Sequence, residues 1–169
     1  MKYVILGHSE RRAMGETNAV INKKIKIAIS AGLTPIVCIG EKERDQSHGY
    51  FETVKTQVRE CLLGINKNLI SKIVIAYEPV WALSSTLNRR DATAHDSREM
   101  AVYIRKVLSD MTTPQIAGGI RVIYGGSVNE KDAGDFLEHG GVDGVLPGKA
   151  SLTAKKFIEI VKICEALKN

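Results

Sequence analysis

The sequence predicts an α/β protein, a parallel sheet covered by helices, and three observations carry that expectation. Five short apolar runs rich in β-branched residues recur along the chain, each of a length that suits a buried strand. Each is followed by a stretch with helical periodicity, the alternation that makes βα units and parallel pairing. Polar, charged and glycine residues gather where the runs end, at the edge where such sheets hold ligands. No linker or low-complexity tract breaks the 169 residues, so one domain over 1–169 is expected. Two architectures fit, an open doubly wound sheet and part of a (β/α)8 barrel.

Residues 2–7 read as the first strand, ending in Gly7-His8-Ser9-Glu10-Arg11-Arg12. Thr17 or Asn18 caps a helix over 18–31, with Ile21, Ile25, Ala28 and Ile29 on one face and Gly32 as its stop. A second strand, 33–39, ends at Gly40-Glu41, and a helix over 47–64 carries the stripe Phe51, Val54, Val58, Cys61, Leu62. The third strand, 72–77, leads into Glu78-Pro79, and a polar connection runs from Leu83 to Ala94. Asp96 with Glu99 suggests a capping box for a helix over 96–110. The fourth strand, 120–124, ends in Gly125-Gly126-Ser127, and Asn129 is placed to cap a helix over 130–139. The fifth, 142–146, closes on Pro147-Gly148-Lys149, and Ser151 or Thr153 opens a last helix with Phe157, Val161 and Cys164 inward.

Composition narrows the function classes. Hydrophobic content of 44% and charged content of 25% describe a globular chain. A net charge of +5 suits an anionic ligand, but the basic residues are dispersed and aromatics are only 5%. Nucleic acid is therefore not an expected partner. The three cysteines are far apart with no CxxC, which argues against a disulfide framework and a zinc site, and for a reducing compartment. No apolar run reaches membrane-spanning length and no signal peptide is evident, so a cytoplasmic protein without a membrane partner is expected.

Glu78 is the first residue that speaks of chemistry. Proline cannot donate to a sheet ladder and holds the residue before it extended. Glu78 is thus fixed at the carboxyl end of a buried strand, as a base or as a solvated strand end. His8 and Glu10 follow the first strand, and glycine-rich turns with Ser127 and Gly148 follow two others. Such turns running into helix starts expose N–H groups to a phosphate.

The combination resembles a known family. Tyr3 to Arg12, Pro35 to Glu41, Ala76 to Ala82 and Tyr124 to Val128 resemble the motifs of triosephosphate isomerase, and Asp143 to Leu152 resembles its last phosphate loop. They occur in the family's order across the chain. The resemblance implies a partial (β/α)8 barrel and interconversion of glyceraldehyde 3-phosphate and dihydroxyacetone phosphate through an enediolate. The roles are those of a known worked case of tuned acid–base chemistry. Glu78 would be the base, and His8 the neutral imidazole that polarises the substrate oxygens. Ser127, Gly148 and Lys149 would hold the phosphate, largely by backbone N–H groups. Glu10 would stand behind the reacting groups, with Cys38 and Glu41 structural or in the same supporting place. Arg11 and Arg12 are read as ion-paired. Neither a metal nor an organic cofactor is implied, and the small-molecule partner would be a triose phosphate or similar anion.

The chain departs from the family pattern in ways that bear on function. It matches from the family's fourth strand onward, without three preceding βα units and the lysine on the first of them. Losing one electrostatic stabiliser costs about 10²–10³ in rate. The segment after Trp81, 83–94, is longer than the family's lid tip and lacks its glycines, which weakens exclusion of water. Lys149 stands where a second glycine is usual, and its ammonium is a candidate replacement for the lost cation. The loop at Ala13 to Glu16 is one residue shorter than is usual. Five strands cannot close an eight-stranded barrel, so the edges at 2–7 and 142–146 would stay open. Self-association into a homo-oligomer is expected, with an N-terminal complementing chain as the other route. The alternative function is a non-catalytic, self-assembling βα fragment that keeps isomerase motifs.

Overall fold

The computed structural model describes residues 1–84, 86–87 and 89–167. Ser85 and Asn88, within the altered segment 83–94, lie outside the described residues.

Four parallel strands form one sheet in the order β1-β2-β3-β4, namely β1 (Tyr3–Leu6), β2 (Thr34–Ile39), β3 (Val74–Tyr77) and β4 (Arg121–Tyr124). The helices are α1 (Ser9–Ala13), α2 (Asn18–Ser30), α3 (Gly49–Cys61), α4 (Lys67–Ile70), α5 (Ala94–Met111), α6 (Pro114–Gly119), α7 (Ala133–His139) and α8 (Ala154–Ala166). This is an α/β architecture consistent with part of a (β/α)8 barrel. The short helices α1, α4 and α6 fall in stretches with too few residues to show a period.

The register sorts the strand residues into two faces. Val37, Ile75 and Val122 are level with one another, as are Ile39, Tyr77 and Tyr124. These join Ile21, Ile25, Val54, Val58, Ile104 and Leu108 from the helices in one buried core. The alternate residues Tyr3, Ile5, Ile36, Cys38, Val74, Ala76, Arg121 and Ile123 share the other face, which no helix covers among the described residues; Ile5 keeps 48% of its surface exposed there, while Cys38, Val74 and Ala76 are buried.

Three boundaries differ from the sequence expectation. The fifth run, 142–146, makes only a single bridge, Tyr124 to Val145. Asp143 Oδ2 accepts the Val122 N–H at 2.7 Å, so a side chain occupies a donor that continuous pairing would use. The capping box is built by Thr93 and Asp96 rather than Asp96 and Glu99, which starts α5 earlier. Asn129 caps the Lys131 N–H in a turn, and α7 begins only at Ala133. Thr17 caps α2 as expected.

Two packing expectations also change. Phe157 and Val161 do not point inward: they are 43% and 42% exposed, and Ile160 is the residue of α8 that is fully buried. Helix α8 packs on α7 and on the 3-10 turn Lys149–Leu152, which leaves Phe157, Ile158 and Val161 about half exposed. Among the described residues Arg12 makes no ion pair. Its guanidinium donates to the carbonyls of Gly7 and Cys38 at 2.8 and 3.0 Å and to Asn18 Oδ1 at 2.6 Å, pinning the end of β1 to β2. Arg11 does pair, with Glu16 at 3.9 Å.

Candidate active site

Glu78 sits one residue beyond β3, yet the sheet still grips it. Its N–H donates to Ile39 O at 2.7 Å, and Gly125 N donates to Tyr77 O at 2.8 Å on the other side. Side chains alternate across a sheet, so Tyr77 goes to the helix side and Glu78 to the uncovered side, in line with Ala76. Glycines make the space. A Cβ at Gly40 would lie 1.8 Å from the Glu78 carbonyl oxygen, and one at Gly125 would lie 3.0 Å from Glu78 Cγ.

The carboxylate is 2% exposed and has few donors. Oε1 lies 3.2 Å from His8 Nε2, and Oε2 accepts the Ser9 N–H at 3.1 Å. His8 caps α1, with its Nδ1 accepting the Glu10 N–H at 3.4 Å. An accepting Nδ1 carries no proton, so the neutral ring carries its proton on Nε2 and turns it toward Glu78. Burial pushes the Glu78 carboxyl above the usual glutamate range, against the opposing pull of His8, the Ser9 N–H, Cys38 and Arg12. A carboxylate so raised is a stronger base than an exposed one. The buried Cys38 thiol is pushed up in turn, by its burial and by the Glu78 charge.

The three strand ends meet in one cavity of about 430 Å³. His8, Glu10 and Glu78 form one wall, and Ser127, Gly148 and Lys149 another. Among the described residues, the N–H groups of Ser127 and Gly148 donate to no protein acceptor. They are thus available to an anion, and Lys149 is the lysine or arginine among the described lining residues. The expected residues thus converge, except two. Cys38 touches the site only through Glu78, and Glu41 lies on the other side of the sheet.

Glu41 is 1% exposed, and its Oε1 accepts from Trp81 Nε1 at 2.7 Å, Tyr77 OH at 2.8 Å and Arg44 Nε at 3.2 Å. It anchors the 3-10 turn Val80–Ala82 that begins the segment over the cavity. Arg44 binds this centre to α5 through Asp96 and Glu99 at 3.1 and 2.6 Å. Sequence reasoning missed Arg44, Ser9 and Gly40. Ser9 was within reach, since a histidine capping a helix places the next N–H beside it. Arg44 was missed because, beyond Glu41 three residues before it, the carboxylates it ties to this centre, Asp96 and Glu99, are more than fifty residues away.

Comparison with known proteins shows the family of the chain. The triosephosphate isomerase family model matches residues 1–164. The triosephosphate isomerase of Dictyoglomus thermophilum is 49% identical over 162 residues, covering 95% of this chain and 64% of that protein. That of Dehalococcoides mccartyi is 45% identical over 170 residues, covering 99% and 65%. That of Porphyromonas gingivalis is 41% identical over 163 residues, covering 95% and 64%. The chain therefore spans just under two thirds of the length of the curated relatives it matches. It belongs to the triosephosphate isomerase family.

Proposed function

We propose that this chain carries the acid–base half of a triosephosphate isomerase site and interconverts glyceraldehyde 3-phosphate and dihydroxyacetone phosphate. The observation that supports it best is the His8–Glu78 pair, 3.2 Å apart at the edge of a cavity large enough for a triose phosphate. Glu78 takes a proton from one carbon and returns it to the next. The Nε2–H of His8 donates to the substrate oxygens and stabilises the enediolate between the two transfers. The N–H groups of Ser127, Gly148 and Lys149 hold the phosphate, and the Lys149 ammonium adds positive charge to a cavity that otherwise carries the Glu10 and Glu78 carboxylates. Glu10 fixes the ring through its N–H, and Cys38 packs beneath the base.

The reading extends to how the chain relates to its relatives. The part of its relatives that the chain does not span corresponds, on this reading, to βα units before β1, which include the family's lysine strand. The open sheet is covered in a homo-oligomer, a separate chain bringing further βα units being the other arrangement.

Turnover of glyceraldehyde 3-phosphate by the purified chain, run beside Glu78→Gln, tests the catalytic reading. Turnover that vanishes in the variant is the expected result. Equal rates from both proteins would overturn it and favour the non-catalytic, self-assembling reading.

A further inference from the structure

His8 and Glu78 approach to 3.2 Å although their strands are not neighbours. β2 lies between β1 and β3, and two strand spacings put the outer backbones roughly 9.6 Å apart in the sheet. The contact therefore depends on how the ends of β1 and β3 are each held to the end of β2. On the β3 side backbone pairing does this, since the Glu78 N–H donates to Ile39 O at 2.7 Å. On the β1 side pairing stops earlier. Leu6 opposite Val37 is the last pair, and the chain turns away at Gly7, whose φ is +72°.

A side chain takes over where the ladder ends. Arg12 Nε donates to Gly7 O at 2.8 Å and its Nη2 to Cys38 O at 3.0 Å, so one guanidinium bridges two carbonyls that cannot bond each other. Its Nη1 donates to Asn18 Oδ1 at 2.6 Å, and Asn18 in turn donates to Glu60 of α3 at 2.8 Å, which fixes the fork from the helix layer. Gly7 admits the fork: a Cβ there would lie 3.3 Å from Arg12 Nη2 and 2.9 Å from Ile21 Cδ1. Each clamped carbonyl is one residue from the reacting pair. His8 follows Gly7, and Ile39, which holds Glu78, follows Cys38.

We propose that Arg12 is a positioning residue, its guanidinium fork fixing the end of β1 on β2 and thereby the reach of His8 to Glu78. The proposal deepens the catalytic reading above and rests on it. Lysine would keep the charge, but an ammonium lacks the planar fork that meets three fixed acceptors at once. Ser127 and Gly148, which face the phosphate, follow β4 and the run after it, away from the clamp. Losing the clamp should therefore slow the chemical step and spare substrate binding.

Proton and nitrogen-15 NMR of the whole chain, labelled at histidine, gives a readout that needs no turnover. The His8 Nε2–H, donating to buried Glu78, is expected as a downfield proton signal that shifts in Glu78→Gln. In Arg12→Lys and Arg12→Met it should vanish or move to the position of a solvated imidazole, with far-UV circular dichroism to certify folding. In turnover of glyceraldehyde 3-phosphate, kcat should fall by about 10²-fold in Arg12→Met and by less in Arg12→Lys, with KM little changed. If Arg12→Met does not fold, Arg12→Lys decides. A His8 signal unchanged in the folded variants would overturn the positioning role whether or not the chain turns over substrate. Full retention of signal and kcat in Arg12→Lys would overturn it too, since charge would then suffice without the fork. A signal present in the wild type and lost in the variants, without turnover by any of them, would uphold the clamp and overturn the catalytic reading alone.

Discussion

Two glutamates end neighbouring strands, and both are buried, yet they live in opposite circumstances. Glu41 follows β2 in line with Ile39 and so falls on the helix side. Glu78 follows β3 in line with Ala76 and falls on the uncovered side. One oxygen of Glu41 collects a phenol, an indole and a guanidinium. Glu78 has one backbone N–H and a neutral imidazole. A buried carboxylate that gathers three donors, even on one oxygen, is a structural tie. One left short of donors is driven toward its protonated form and is reactive when ionised. The difference between support and chemistry here is a difference of sheet face.

The largest effect should come from removing the reactive member. If the isomerase reading holds, Glu78→Gln lowers turnover by about 10²–10⁴, the usual value of a positioned base. The same variant should raise the thermal midpoint, because a neutral amide replaces a charge the site holds at a cost. Loss of activity together with loss of stability would break the comparison, since Glu78 would then be a tie like Glu41.

Glu41→Ala should do the reverse. It leaves Arg44, Tyr77 and Trp81 facing a gap, and breaking a buried pair typically costs about 3–5 kcal/mol, read as a shift in the urea midpoint. Trp81→Phe removes one donor and keeps the ring between Arg44 and Arg90, which stand 5.4 and 4.4 Å from it. A hydrogen bond to a charged group is worth about 1.5–3 kcal/mol. The variant should therefore destabilise less than Glu41→Ala, and the double variant should fall short of the sum. Full additivity would mean that Trp81 is not tied to Glu41 in solution.

Sequence reasoning reached Glu78 and His8 for the same reason that it reached the strands. Both sit at the end of a short apolar run, and proline or glycine marks that end within one residue. It placed Glu41 near the site without its side of the sheet, because the face follows from the register of Ile39 against Tyr77 and not from local spacing. The fifth strand was overread: Val142 to Leu146 has the composition of a strand, but Asp143 spends its side chain on Val122 and Arg105. Phe157 and Val161 have helical spacing, which says that a helix has an apolar side and not that anything covers it. Arg44 was illegible because only Glu41 among its partners is near it in sequence, and a Glu–Arg pair at that spacing does not announce the distant Asp96 and Glu99.

The smallest expected effect discriminates the two carboxylates most finely. Burial raises the Glu78 pKa above its ordinary value of 4.5, so the folded chain holds this proton to a higher pH than the unfolded chain does. The stability tied to that proton is fully present below the unfolded pKa and is lost as pH rises through the folded one. Glu78→Gln cannot show this loss. The variant and the wild type should therefore have similar urea midpoints in acid below the ordinary glutamate value, and diverge in the variant's favour as pH rises. The divergence should level off once Glu78 is fully ionised. The acidic limb of any isomerase activity should fall in the same window, since the base acts only when ionised. A midpoint difference that is constant with pH would mean that water reaches Glu78 in solution. The distinction between the two glutamates would then rest on hydrogen-bond donors alone.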